Sequence, residues 1–157
     1  MSTKVKKMLF ILSKATIENA YAAFVMANGA RMEGIESEIF FTFFGLEVIQ
    51  KKKLNHLRVA TVGNPAMHMP TMLGGLPGME ALATSMMKKE MEKLDMPPIG
   101  EFLEILSDSV CKLWGCRLAI DMFHLKREDL IDELDGILTI GDFYNRADQE
   151  GCHLLFV

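Results

Sequence analysis

Two short apolar segments on either side of a helical pattern constrain the fold most. Lys7–Leu12 is continuously apolar after its first residue, which is typical of a strand buried on both faces. Residues 38–44 form a second run, aromatic and β-branched, that stops at Gly45. Between them, apolar residues recur at helical spacing from Ile17 to Ala30. A strand, a helix and a strand with short connections predict a right-handed βαβ unit of a parallel sheet.

The last part of the chain repeats this alternation. Helical spacing predicts helices over 79–94 and 99–110. Further elements are a third strand over 110–116, helical turns over 117–123 and 126–133, a short strand over 136–139, a helix over 141–150 with Phe143, Tyr144 and Ala147 inward, and a terminal strand over 153–157. The pattern predicts an α/β fold, flavodoxin-like and doubly wound, with a mainly parallel sheet of four to five strands.

The middle of the chain differs in composition. Residues 46–53 are predicted to form a short helix, residues 58–63 fit either a short strand or a loop, and residues 64–78, with three Pro and three Gly, are predicted to form a loop. Eight of the 13 Met lie between residues 67 and 96. We therefore expect a single domain over 1–157 with a Met-rich helical insertion over about 51–96.

Charge and hydropathy exclude several classes of protein. The net charge of −4 argues against a broad nucleic-acid-binding surface. No apolar run approaches the ~20 residues of a membrane-spanning helix, and the apolar run after the basic start is too short for a signal peptide. We therefore expect a cytoplasmic protein that does not associate with membranes. With 3 Cys, an odd number, we expect thiols in place of a disulfide framework.

Cys116 is the sharpest candidate for chemistry. It ends the predicted third strand, and ligands of open parallel sheets bind at the carboxyl ends of the strands. A helix N-terminus and the neighbouring Arg117 both favour a thiolate, the nucleophile of sulfur exchange. The plainer alternative is a small buried apolar side chain, which is the interpretation we favour for Cys111 and Cys152. Cys111 and Cys116, roughly 16 Å apart along a strand, are not expected to form a disulfide.

Other motifs carry weaker signals. Met67, His68 and Met69, with Met72 nearby, could suggest a Cu(I) or haem-type site, although Met is also common on adaptable binding surfaces. The four His have no ligand spacing, and neither a Walker loop nor a dinucleotide fingerprint is present. We expect no metal and no cofactor, and interpret the Met-rich segment as a lid or interaction surface.

Three segments resemble a known family. They are residues 40–46 (Phe-Phe-Thr-Phe-Phe-Gly-Leu), 76–79 (Leu-Pro-Gly-Met) and 115–122 (Gly-Cys-Arg-Leu-Ala-Ile-Asp-Met), the last followed by Lys-Arg-Glu-Asp-Leu at 126–130. The chain resembles the DsrE/DsrF-like family, in its branch labelled peroxiredoxin-like, over nearly its whole length. The resemblance implies a flavodoxin-like fold, homo-oligomers (trimers or hexamers) and sulfur trafficking, with Cys116 at the position of the persulfide-bearing Cys.

Two functions follow as hypotheses. In the first, the protein is a sulfur carrier or sulfurtransferase, more a carrier than a turnover enzyme, with sulfane sulfur on Cys116. Lys14 and Arg117 would hold an anionic donor such as thiosulfate, and Gly45 would allow close backbone approach. Its partner would be a donor or acceptor protein such as a small sulfur carrier or a rhodanese. In the second, the protein is a non-catalytic oligomeric binding or scaffold module that acts through its Met-rich surface.

Overall fold

Five parallel strands form one sheet in the computed structural model, which describes residues 4–61, 68 and 70–157, without the side chain of Thr71. The strands are β1 (Lys7–Leu12), β2 (Glu36–Phe41), β3 (Lys112–Cys116), β4 (Gly136–Leu138) and β5 (Cys152–Phe156). Their order across the sheet is β4-β3-β2-β1-β5. The predicted α/β fold with a parallel sheet is confirmed. The single domain over 1–157 and the insertion over 51–96 remain predictions.

Helices connect and cover the strands. The α-helices are α1 (Ile17–Met32), α2 (Thr71–Gly74), α3 (Met79–Lys93), α4 (Ile99–Asp108), α5 (Arg117–Met122) and α6 (Ile140–Ala147). Single 3-10 turns or short 3-10 helices lie at Phe43–Ile49, Leu54–His56 and Arg127–Asp129. Among the described residues, no helix combines the length and the apolar character needed to cross a membrane.

The sheet is covered on two faces. From β1 to β2 the chain moves towards β4, whereas from β4 to β5 it moves back past β1. Right-handed crossovers in opposite directions place their helices on opposite faces. Accordingly α1 packs against α4 through Phe24 and Phe102, with ring centroids 5.5 Å apart, and α6 packs Phe143 on Phe40 of β2 at 4.8 Å. This arrangement is the predicted doubly wound one.

A buried ionic network holds α6 to the sheet. Lys7 and Glu38, 2% and 4% exposed, form an ion pair of 2.7 Å. The Trp114 indole N–H donates to Glu38 at 2.7 Å, and the Arg146 guanidinium donates to the same carboxylate while lying 4.2 Å over the Trp114 ring. Because each charge has a partner, the network avoids the desolvation cost of an unpaired buried ion.

The second strand is shorter than predicted. We expected it to extend to Phe44, but it ends at Phe41, and Phe43 has a left-handed φ of 45°. The Thr42 N–H still donates to the Leu12 carbonyl (3.0 Å), after which the chain turns into the 3-10 helix Phe43–Ile49. The helix predicted over 46–53 is present only in part, since residues 46–49 belong to this 3-10 helix and residues 51–53 form a turn.

Several other boundaries differ. The third strand begins at Lys112 because Val110, with a φ of 64°, turns the chain after α4. Tyr144 was expected to point inward but is 63% exposed, whereas Phe143 is buried as predicted. Within the predicted 64–78 loop, Thr71–Gly74 is helical, and residues 62–67 and 69 lie outside the described residues. The segment 58–63 was predicted to be either a short strand or a loop. Among its described residues, Arg58 forms an isolated β-bridge with Thr16.

Candidate functional site

The carboxyl ends of the central strands meet at one edge of the sheet. Leu12 of β1 is in register with Phe41 of β2, and Phe41 is in register with Gly115 of β3. The residues that follow these ends include all four predicted site residues, which are Lys14, Gly45, Cys116 and Arg117. The edge is the position where open parallel sheets bind ligands. We call it the carboxyl edge.

Cys116 lies at the strand-to-helix junction predicted for it. It is the last residue of β3, paired with Leu138 of β4, and the residue that caps the six-residue helix α5. Its side chain is only 2% exposed. The thiol is thus shielded from solvent, and we expect a reaction partner to reach it only after a local opening.

The surface next to Cys116 is apolar and aromatic. Exposed large apolar side chains come from α5, from the residue after it and from the 3-10 helix that follows β2: Phe43, Phe44, Leu118, Met122 and Phe123. The rings of Phe44 and Phe123 lie 5.7 Å apart and join these two segments. We call these five residues the aromatic rim. Exposed apolar groups gathered in one place are typical of an interaction site.

Gly45 allows two backbone segments to approach each other. A Cβ at this position would lie 2.0 Å from the Leu12 carbonyl oxygen, closer than any real contact. The Gly45 N–H donates to the Ser13 carbonyl at 3.1 Å, which ties the segment after β2 to the end of β1. This close approach supports the shape of the carboxyl edge. A direct role of Gly45 in binding a sulfur donor remains a prediction.

Lys14 and Arg117 are exposed cations without a side-chain partner in the described part of the chain. Lys14 lines a cleft of about 680 Å³ at the carboxyl edge. Neither Cys116 nor Arg117 lines this cleft, although Phe44 of the aromatic rim does. The structure therefore brings the predicted residues to one edge, and separates Lys14 from the Cys116–Arg117 pair.

The cleft contains cations that the sequence analysis did not assign to the site. Lys52, Lys53 and Arg58 line it together with Lys14. The three lysines at 51–53 were interpreted as the end of a helix. Arg58 lay in the segment 58–63, for which the sequence did not distinguish a strand from a loop. The Arg58 carbonyl accepts a hydrogen bond from the Ile17 N–H at 3.0 Å, which places this segment beside the start of α1. No local motif predicts that pairing.

The other two cysteines lie in different surroundings, and all three are free thiols. Burial raises the pKa of Cys111 to about 11, and its thiol donates to the Ser37 hydroxyl at 3.5 Å. Cys152 begins β5 in register with Lys7, at the amino edge of the sheet, and burial raises the pKa of its thiol. Both thiols are protonated at neutral pH, and neither lies at the carboxyl edge.

The Met-His-Met segment is only partly described. Met67 and Met69 lie outside the described residues, while His68 is exposed with a φ of 49°. Within the described residues, no three His, Cys, Asp or Glu side chains are grouped as metal ligands would be. Farther along, Met72 and Met86 are 82% and 60% exposed. The Met-rich region thus presents apolar side chains to solvent.

Two curated proteins are similar in sequence. The chain is 33% identical over 153 residues to "Sulfur carrier protein DsrE2" of Allochromatium vinosum, covering 91% of this chain and 95% of the relative. It is 25% identical over 140 residues to "Uncharacterized protein YrkE" of Bacillus subtilis, covering 86% and 88% of the two chains. Both similarities extend along almost the entire chain.

Two solved structures share the fold. One is a protein of unknown function, MTH1491 of Methanobacterium thermoautotrophicum, with a TM-score of 0.58, 8% identity and coverage of 96% of this chain and 98% of the other. The other is the ychN protein of E. coli, with a TM-score of 0.55, 13% identity and coverage of 97% and 99%. At these identities the likeness establishes the architecture alone.

A family model gives the assignment. The model of the DsrE/DsrF/DrsH-like family matches residues 4–155 of this chain. That match covers β1 to β4 and all but the last residue of β5, and it includes Cys116 at the carboxyl edge. Together with the 33% identical relative, it confirms the resemblance found in the sequence: the chain belongs to the DsrE/DsrF/DrsH-like family.

Proposed function

We propose that this protein is a sulfur carrier that holds sulfane sulfur as a persulfide on Cys116 and passes it to an acceptor thiol. The observation that carries the proposal is the position of Cys116 at the carboxyl edge, where the two other thiols are absent. The name of the 33% identical relative, a sulfur carrier protein, supports the same role. The protein acts as a relay more than as a turnover enzyme.

The chemistry is an exchange without net oxidation. The Cys116 thiolate attacks the outer sulfur of a donor persulfide, so that a bond forms between Sγ and that sulfur. The sulfur–sulfur bond of the donor breaks, and the donor leaves as a thiolate while the proton stays on the transferred sulfur. An acceptor thiolate then attacks the same outer sulfur, and Cys116 leaves as a thiolate.

Charge near the thiol supports this exchange. Arg117 follows Cys116 directly and has no anionic partner in the described chain, so its charge is available to a thiolate or an anionic donor. Lys14 supplies a second cation at the carboxyl edge. Gly45 contributes indirectly, because the absence of a side chain lets the segment after β2 lie close to the end of β1.

The burial of Cys116 suits a carrier, because it would protect the bound persulfide sulfur from water and from thiols other than the acceptor. We propose that a donor or acceptor protein, such as a small sulfur carrier or a rhodanese, docks on the aromatic rim and opens the cover over the thiol. Exposed aromatic side chains such as Phe43 and Phe44 are the type of residue that anchors protein interfaces. A reducing cytoplasm would keep the three thiols free for this exchange.

Self-association is a second part of the proposal. β5 is an edge strand whose side chains Leu154, Leu155 and Phe156 are 48%, 38% and 71% exposed. An apolar edge strand left open to water is prone to pair with another chain. We propose that copies of this chain cover β5 in a trimer or hexamer.

Mass spectrometry tests the carrier function. The reduced wild-type protein is incubated with polysulfide or thiosulfate, desalted, and measured intact beside single Cys→Ser variants. We expect Cys111→Ser and Cys152→Ser to gain sulfur as the wild type does, and Cys116→Ser to gain none. Equal sulfur gain by all three variants, or none by the wild type with any donor, would overturn the proposal.

The exposed Met-rich region favours a second candidate function, a non-catalytic binding module. Leu76, Leu82 and Met86, in and before α3, are each at least half exposed. In such a module Cys116 is inert. Alkylation kinetics below about pH 7 separate the two functions: labelling of Cys116 through local opening that is faster than labelling of Cys111 and Cys152 supports the carrier, and equally slow labelling of all three thiols supports the module.

A further inference from the structure

We propose that the cleft at the carboxyl edge binds an anionic organic thiol or persulfide of about the size of glutathione, which serves as the low-molecular-weight donor or acceptor for Cys116 once the cover over that thiol has opened towards the cleft. This inference rests on the carrier function and specifies the substrate class that the site takes. It depends on the charge, the location and the size of the cleft.

The charge of the cleft is positive in a protein whose net charge is −4. Its lining holds four cations and two carboxylates. The carboxylates are each paired with one cation: Lys53 Nζ lies 2.7 Å from Glu47, and Arg58 lies 3.2 Å from Glu80. Lys14 and Lys52, both exposed, have no such pair among the described residues and are left to attract an anion.

The location links the cleft to the sulfur site. The cleft is bounded by residues after β1, by the 3-10 helix after β2, and by the segment that pairs with the start of α1. Phe44 lines the cleft, and its ring packs on that of Phe123, which follows the helix that Cys116 caps. A ligand bound in the cleft therefore lies on the same edge as Cys116, with the aromatic rim between them.

The size of the cleft is compatible with an organic ligand. Its volume of about 680 Å³ falls in the range of roughly 300–1,000 Å³ that is typical of sites for small organic molecules. Thiosulfate would fill only a small part of it. The buried side chains Leu57 and Val59 in the lining offer apolar contact to a ligand body, while Lys14 and Lys52 offer charge to its carboxylates or phosphates. An anionic organic thiol has all of these groups.

Calorimetric titration tests binding without sulfur transfer. Full-length Cys116→Ser protein is titrated under reducing conditions with glutathione, which carries carboxylates, with coenzyme A, which carries phosphates, and with thiosulfate. We expect one or both thiols to bind and thiosulfate to bind at least about tenfold more weakly. Lys14→Gln and Lys52→Gln should each weaken thiol binding about fivefold at low salt, as expected for loss of one nearby charge. Raising salt from about 20 to about 300 mM should weaken it as well.

Lys4→Gln is the matched control, because Lys4 is exposed before β1, at the opposite end of that strand. It makes the same change in net charge and should leave the affinity unchanged. The inference is overturned if no organic thiol binds, if thiosulfate binds as tightly as the thiols, or if all three Lys→Gln variants behave alike. Failure of the carrier function has a different signature, the absence of sulfur on Cys116 in wild-type protein, and the two results are read independently.

Discussion

Gly45 shows at the scale of one residue how closely the carboxyl edge is built. Any side chain there would collide with the Leu12 carbonyl, because a Cβ would lie 2.0 Å from its oxygen. Gly45→Ala should therefore destabilise the protein by about 3 kcal/mol, measured by urea unfolding, since backbone must move to make room. The control is Gly29→Ala in α1, where the Cβ meets nothing within 4 Å. It should be stabilising by about 0.5–1 kcal/mol through helix propensity. Equal effects of the two substitutions would contradict this account.

Cys111 gives a prediction with a defined pH dependence. Burial raises the pKa of its thiol from 9.0 to about 11, so the fold favours the protonated form. The resulting stabilisation is complete below about pH 9 and is lost as the pH rises towards 11. The difference in unfolding free energy between the wild type and Cys111→Ala should shrink by about 2 kcal/mol from about pH 8 to about pH 10.5. Urea titrations at both pH values measure it, and a constant difference would show that the thiol does not titrate as described.

Single residues also show where sequence reasoning stops. The position of Cys116 at a strand end was predictable because strand and helix patterns are local. Its burial was not, because the segments around it come from distant parts of the chain. The same holds for Arg58, which lines one cleft with Lys14 because its backbone pairs with Thr16 before the start of α1.

At the scale of elements, the strands and long helices were predictable and their ends were not. The aromatic run continues through Phe44, yet β2 ends at Phe41 because the following turn packs on β1. Tyr144 has helical spacing with the inner residues of α6, but α6 is short and buries only Phe143 fully. In both places tertiary packing overrides a local pattern.

The network at Glu38 makes the docking of α6 testable. Burial on its own raises the pKa of Glu38, but the bonds from Arg146, Lys7 and Trp114 outweigh it and the pKa is lowered. The network thus stabilises the fold above about pH 4.5 and loses this effect as the pH falls. Glu38→Gln should lower the free energy of unfolding by about 3 kcal/mol at neutral pH. It should also make the free energy of unfolding less dependent on pH in the acidic range.

Trp114, the one tryptophan of the sequence, reports this change directly. Its emission should shift to longer wavelength in Glu38→Gln as α6 loosens. Glu36→Gln on the same strand, at an exposed position, should leave both the emission and the stability unchanged. A loss of stability in both variants would point to net charge as the cause, and not to the network.

At the scale of the whole molecule, the parts of the proposed site share one edge of the sheet. The thiol of Cys116, the aromatic rim and the cationic cleft all lie at the carboxyl edge. The ionic network lies under α6, and β5 forms the side of the sheet. β5 runs parallel to β1 with Phe156 in register with Ile11, so the proposed self-association surface reaches the carboxyl edge beside the end of β1.

The proposed oligomer follows from the open side of the sheet. Phe156→Glu in β5 should reduce the assembly from a trimer or hexamer to a monomer, because it places a charge in the apolar edge. Light scattering coupled to size exclusion measures the mass. Met32→Glu is the control, since Met32 is an exposed apolar residue at the end of α1. A monomeric wild type, or a Phe156→Glu protein that keeps the wild-type mass, would contradict the proposed interface.

The most direct test of the account is to follow one sulfur atom onto and off Cys116. Wild-type protein is loaded with sulfane sulfur, freed of donor, and divided; one half is alkylated at once and the other after exposure to an acceptor thiol. Peptide mass spectrometry should find one additional sulfur on the Cys116 peptide in the first half and none in the second. Sulfur found only on the Cys111 or Cys152 peptide, or a Cys116 persulfide that no acceptor thiol removes, would contradict the account.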